Sequence, residues 1–117
     1  MPVIYITATI KKDTKDKVLM DELIREIKKH VNGHNNLIDL YSPGKDFKVY
    51  KSYLRSGGVR AAILLKLSKQ IYIPLIIVKK ESPIGWNLSK YSANYLEGKI
   101  LKAWKDIETK KYILVKL

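Results

Sequence analysis

A chain of 117 residues is enough for one domain and too short for two ordinary ones. It carries 23 Lys and Arg against 11 Asp and Glu, a formal charge of +12, and 46% of it is apolar, which excludes global disorder and makes a polyanion the expected partner. There is no cysteine, which excludes a disulfide scaffold, a thiol nucleophile and a cysteine zinc site. No apolar run reaches the ~18 residues of a membrane span, and the opening Met-Pro-Val-Ile-Tyr-Ile lacks the form of a secretory signal, so a soluble cytoplasmic protein is expected.

Val3–Ile10 is β-branched and apolar and predicts a strand, followed by a charged connector over Lys11–Lys17 in which Asp13 and Asp16 suit the start of a helix. Leu19, Met20, Leu23, Ile24, Ile27 and Val31 recur at spacings of three and four, the pattern of an amphipathic helix that Gly33 stops. His34–Tyr41 reads as a short second helix with Leu37, Ile38 and Leu40 inward, and Ser42-Pro43-Gly44 as a turn. From Phe47 the period changes to two. Strands are expected over Phe47–Leu54, Val59–Leu67 and Ile71–Lys79, with Arg55-Ser56-Gly57-Gly58 as a loop or bulge and Pro74 marking an edge or a bulge. In the middle strand Val59, Ala61, Ile63, Leu65 and Leu67 share one face, and Arg60, Ala62, Leu64 and Lys66 the other. Ser82-Pro83-Ile84-Gly85 is another turn. Asn87 or Ser89 then opens a helix to about Trp104, with Tyr91, Tyr95, Leu101 and Trp104 inward and Gly98 weakening its continuity. Tyr112–Leu117 is a final strand. The whole reads as a single α+β domain over 1–117, an antiparallel-rich sheet with the helices packed on one face, leaving the other face to carry Arg60 and Lys66.

The charge is concentrated. Residues 1–44 hold a net +1 and residues 81–117 a net +3, whereas residues 45–80 hold nine basic side chains against Asp46 alone, a net +8. A surface that merely solubilises mixes both signs throughout, so this concentration points to a binding site. Tyr50, Tyr53 and Tyr72 fall within the same segment. Aromatic rings stack on unpaired bases at ~1–3 kcal/mol each while Lys and Arg hold phosphates, a mixture suited to single-stranded RNA; tyrosines that simply pack on strands are the plainer reading.

Other chemistries find little support. His30 and His34 stand i, i+4, but Gly33 between them ends the helix, so they read as exposed helix-end histidines and no metal is expected. Gly57-Gly58 belongs to no phosphate-loop or dinucleotide pattern. Asp106 and Glu108 read as solvated helix-end charges, and Ser56 and Ser82 have no histidine near them in sequence. A basic surface can nonetheless cleave RNA without histidine, metal or cofactor. The 2′-hydroxyl is an internal nucleophile, Arg and Lys stabilise the charge that grows on the phosphate, and a Lys or Tyr whose pKa is lowered by crowded cations moves the protons.

The stretch Arg55-Ser-Gly-Gly-Val-Arg60, the apolar strand after it, the hairpin, the second strand ending in Lys79-Lys80-Glu81, and Asn87-Leu88-Ser89 opening a helix resemble the toxins of the RelE/ParE superfamily, most closely the HigB-like branch. The resemblance covers about residues 51–96. It implies a RelE-like α+β fold and a toxin of a toxin–antitoxin pair that cleaves mRNA, usually on the ribosome, or, in ParE-type members, poisons DNA gyrase. It also implies a cognate antitoxin that masks the basic face. Arg60 matches the family's strand arginine, Lys79 or Lys80 the lysine closing the next strand, and Lys51 and Arg55 the basic residues before it. The short or missing second helix, the extra Pro83–Trp86 and the terminal strand depart from the family pattern.

The expected catalytic groups are therefore Arg60, for the scissile phosphate, with Lys79 and Lys80, for proton transfer or charge. The expected RNA-binding groups are Lys48, Lys51, Arg55 and Lys66 on the backbone and Tyr50 and Tyr53 on bases. The competing readings are a non-enzymatic nucleic-acid-binding protein and a toxin directed at a protein target.

Overall fold

A computed structural model describes residues 1–81 and 88–117, with the side chains of all but 88–93. Strand β1 (Val3–Thr7) leads into two helices, α1 (Ala8–Asp13) and α2 (Lys17–Val31). Four strands follow, β2 (Ile38–Gly44), β3 (Phe47–Leu54), β4 (Val59–Lys66) and β5 (Ile71–Lys79), then helix α3 (Leu88–Glu108) and strand β6 (Tyr112–Lys116). The six strands form one sheet in the order β2-β3-β4-β5-β1-β6, antiparallel except for the β1–β5 pair. The expected α+β class and the strands β3 to β6 stand.

The first strand stops three residues early. Thr7 caps a helical turn by accepting the N–H of Ile10, and the N–H and hydroxyl of Thr9 both donate to the Asp106 carboxylate at 2.8 and 2.6 Å, which removes the chain from the ladder. Asp106 is thus an anchor for the other end of the chain rather than a solvated helix-end charge. Helix α2 begins where Asp16 accepts from the N–H groups of Val18 and Leu19, and closes in a Schellman arrangement: the His34 N–H bonds Lys29 O, the Gly33 N–H bonds His30 O, and Gly33 takes φ +91°.

The short second helix expected at His34–Tyr41 is instead strand β2, on the sheet edge beside β3. Local propensity is weak here, and the ladder offered by β3 decides the backbone. The turn accordingly lies at Lys45-Asp46, after the Ser42-Pro43-Gly44 expected. Pro74 does mark a bulge: the β4–β5 register shifts between Ala62 and Ile63, and β1 pairs β5 only at Ile71 and Tyr72, so no ladder bond is asked of the proline nitrogen on that side.

The alternation expected in β4 separates two cores. Val59, Ala61, Ile63 and Leu65 join Ile4, Ile6, Leu23 and Ile27, so that α2 covers one face. Ala62 and Leu64 join Val49, Ile73, Ile76, Leu96 and Ala103, so that α3 covers the other. This corrects the expectation of helices on a single face. An amphipathic helix must bury its stripe, and β4 is apolar on both faces, which calls for cover on both. Helix α3 runs unbroken past Gly98, with Leu96 and Ala103 inward, Tyr95 and Trp104 half-buried, and Leu101 64% exposed rather than inward. The Ser82–Gly85 turn, the Pro83–Trp86 insertion, the cap at Asn87 or Ser89 and the orientation of Tyr91 lie outside the described residues.

Candidate nucleic-acid interface

The β3–β4 register sets Tyr53 directly across from Arg60, and the β4–β5 register sets Arg60 across from Val78. By strand alternation Lys51, Tyr53, Arg60 and Val78 share the α3 face, while Val59 and Lys79 point the other way. Lys80, one residue on, lines a cleft of about 730 Å³ together with Tyr53, Arg55, Ser56, Gly57, Gly58 and Arg60. Lys79 lines a separate depression with Asp13, Asp16 and Leu19, on the side of the two N-terminal helices. The choice between the two lysines that the sequence leaves open is thereby made by register: Lys80 joins Arg60 and Lys79 does not.

Tyr53 is the centre of the cluster. The Lys51 ammonium lies 5.1 Å from its ring centroid and the Arg60 guanidinium carbon also 5.1 Å. Each such contact contributes ~0.5–1 kcal/mol at a partly exposed site. A hydrogen bond from Lys51, reinforced by the positive charges of Lys51, Arg60 and Lys80, holds the Tyr53 phenol below its ordinary value. Lys51 itself is only 8% exposed, so its ammonium is held in place by its surroundings rather than swinging in solvent. With cations set against its ring, Tyr53 is better placed to present its hydroxyl than to stack on a base.

The wall of the cleft is a strained loop. Arg55, Ser56 and Gly57 have φ of +48°, +55° and +94°, three consecutive left-handed residues of which only the last is a glycine. Each non-glycine residue held there costs on the order of 1 kcal/mol. Helix α2 and its cap offset that cost: Glu22 accepts the Arg55 N–H at 2.8 Å, and the Asp16 carboxylate accepts from the Arg55 guanidinium at 2.8 Å. The Gly58 N–H returns to Arg55 O, and the Lys80 N–H bonds Gly58 O, tying the loop to the end of β5. Nothing in the sequence pairs Asp16 and Glu22 with Arg55, since 39 and 33 residues separate them.

The remaining expected site residues are dispersed. Tyr50 faces α2, where it packs on the core and its ring centroid stands 5.0 Å from that of His30. Lys48 is on the same side, bonded to Asp39 at 2.9 Å. Lys66 shares the Arg60 face but lies six residues along the strand, about 20 Å away at ~3.3 Å per residue, over the ring of Phe47. The nine basic residues of the middle segment therefore form no single patch, and the cleft unites Arg55, Arg60 and Lys80, with Lys51 under Tyr53. Asp46, the one acidic residue of that segment, sits at the far end of β4 from Arg60, where it accepts from the N–H and hydroxyl of Ser68.

The histidines also differ from expectation in part. His34 is exposed, but His30 is half-buried, with Nδ1 2.9 Å from the Tyr72 hydroxyl, and burial lowers its pKa. No cluster of three metal-ligating side chains occurs among the described residues, and no helix among them is long and apolar enough to cross a membrane.

No protein-family profile, curated protein or solved structure matches the chain.

Proposed function

We propose that the chain is an endoribonuclease toxin of the RelE type, cutting mRNA in the cytoplasm, on the ribosome, and restrained by a cognate antitoxin. The observation that carries the reading is the Tyr53 hydroxyl set among Lys51, Arg60 and Lys80 at one end of the sheet. The reaction needs a base for the 2′-hydroxyl, positive charge at the phosphate and an acid for the leaving oxygen. The phenolate of Tyr53, favoured by its cationic neighbours, takes the 2′ proton. The 2′ oxygen attacks the adjacent phosphorus, and Arg60 meets the charge that builds on the non-bridging oxygens. The P–O5′ bond breaks, the Lys80 ammonium gives a proton to the departing 5′ oxygen, and a 2′,3′-cyclic phosphate and a 5′-hydroxyl remain. Every step is assigned to a side chain of the cluster, and none calls for a metal or cofactor. Arg55, beside the same cleft, is placed to hold a neighbouring phosphate.

Primer extension on transcripts after brief induction in a bacterial host tests this reading. Discrete new 5′ ends within translated mRNA are expected, and an Arg60→Ala variant that keeps its fold should give none. Growth arrest with intact transcripts would instead assign the toxicity to a protein target such as gyrase. Salt-sensitive RNA binding with neither arrest nor cleavage would leave a plain nucleic-acid-binding module.

A further inference from the structure

Strand β6 closes the sheet at one side, and its hydrogen-bond phase can be worked out. The Leu117 N–H bonds Pro2 O at 3.1 Å and the Ala8 N–H bonds Lys111 O at 2.9 Å. With the register Val3–Lys116, Ile4–Val115, Tyr5–Leu114, Ile6–Ile113 and Thr7–Tyr112, these bonds fix Val115 and Ile113 as the residues that exchange bonds with β1. The N–H and C=O groups of Tyr112, Leu114 and Lys116 therefore point away from β1, and among the described residues no further strand of the sheet lies beyond them. They present three donors and three acceptors at the spacing of a ladder.

The side chains along this edge are of the kind that a strand covers. Leu114 is 44% exposed on the α3 face, where Tyr112 stacks on Tyr5 with centroids 4.6 Å apart. Ile113 is 50% exposed on the other face, at the rim of a cleft of about 610 Å³ that includes Ile6, Met20 and the buried Thr14 hydroxyl, which has no hydrogen-bond partner among the described residues. Edge strands are commonly protected by a bulge, a proline, a short length or charged side chains, lysine above all; β6, five residues long, has Lys116 within it and Lys110 and Lys111 before it, which deter a like-charged strand and favour an acidic one. The β1–β6 register is unbroken over five pairs, and β6 contains no proline.

Charge decides the occupant. Residues 109–117 contain Lys110, Lys111 and Lys116 and no carboxylate side chain. The cleft below Ile113 adds Lys11, Lys15 and Lys17 against Asp16 and Asp21, and Asp16 is already engaged by Arg55 and the α2 N-terminus. A second copy would bring the same lysines to the same edge, on a chain of +12. We propose that the free edge of β6 receives an extended, acidic segment of another protein as a seventh strand, held by the outward backbone groups of Tyr112, Leu114 and Lys116 and by the flanking lysines. This surface is independent of the reaction assigned to the Tyr53 cleft.

The test uses the full chain and a short end-blocked peptide of alternating glutamate and valine, with its lysine–valine counterpart as control. The acidic peptide should bind with a dissociation constant below about 1 mM. It should slow amide exchange at Tyr112, Leu114 and Lys116, and the basic peptide should do neither. Leu114→Glu places a like charge in the path of the peptide and should weaken binding about tenfold or more, with RNA cleavage unchanged. Should that variant misfold, the two-peptide comparison on the unaltered chain decides alone. Equal binding of both peptides, no saturable binding, or binding that leaves those three amides unprotected would overturn the proposal. Concentration-dependent protection of the same amides without peptide would overturn it in favour of a second copy.

Discussion

Tyr53→Phe separates the proton-transfer role proposed for Tyr53 from its packing role. The substitution keeps the ring against which Lys51 and Arg60 are held at 5.1 Å and removes only the hydroxyl. One hydrogen bond, to Lys51, is lost, and with Tyr53 41% exposed the stability cost should stay at or below ~1 kcal/mol. Cleavage should suffer far more, because a positioned general base contributes about 10²–10⁴-fold, or ~3–5 kcal/mol of barrier. Binding should change little, since the cations of the cleft remain. The sign of the pH dependence follows from the lowered phenol: the phenolate fraction grows as pH rises, so the wild-type rate climbs with pH and levels off below the ordinary tyrosine value of 10.0. The phenylalanine variant should lack that climb. Single-turnover cleavage of an end-labelled RNA, followed from roughly pH 6 to 9.5, measures both effects. A variant within about threefold of wild type with the same profile would refute the assignment of Tyr53 as the base.

The register of β5 makes a second prediction: Lys80→Ala should lower cleavage about tenfold or more at nearly constant RNA affinity, while Lys79→Ala stays within about twofold, and the reverse order in parallel kinetic assays would move the site to the other face. For His30, burial depresses the folded pKa below the ordinary 6.5, so the unfolded chain takes the proton first; stability is full above that value and is lost as pH falls through it toward the folded pKa. Thermal melts at about pH 7.5 and 5.5 should therefore show a larger drop for the wild type than for His30→Gln. Gly57→Ala forces a Cβ into a backbone of φ +94° with no steric neighbour, so it should cost ~1 kcal/mol in denaturant titrations through backbone strain alone and reduce cleavage by disturbing the loop that borders Arg60.

Much of the architecture is legible locally. The three-and-four spacing from Leu19 to Val31, the two-residue period of β3, β4 and β5, and the glycine at 33 are signals that a few neighbouring residues carry by themselves, and the α+β class follows from them. The separation of Val59, Ala61, Ile63 and Leu65 from Ala62 and Leu64 was equally readable, because alternation is a property of the extended backbone. What failed locally were the segments settled by distant partners. His34–Tyr41 has the composition of either state and becomes β2 because β3 offers a ladder. Thr9 leaves the first strand because Asp106, 97 residues away, accepts its hydrogen bonds.

The site divides the same way. Composition and charge point to residues 45–80, since an excess of +8 in 36 residues is a local fact, and the resemblance to the RelE/ParE toxins singles out Arg60 within them. Which of those cations act together is not local. A strand sends neighbours to opposite faces, so Lys79 and Lys80 part company, Tyr50 turns to α2, and Tyr53 turns to Arg60. Helix α3 then covers the middle of the face that the sequence alone had left open. The amino-acid order determined which segments are strands and helices and how much charge they bear; the pairing register and the two-sided covering of the sheet decided which charges meet, because contacts between distant segments are set by the packing of whole faces.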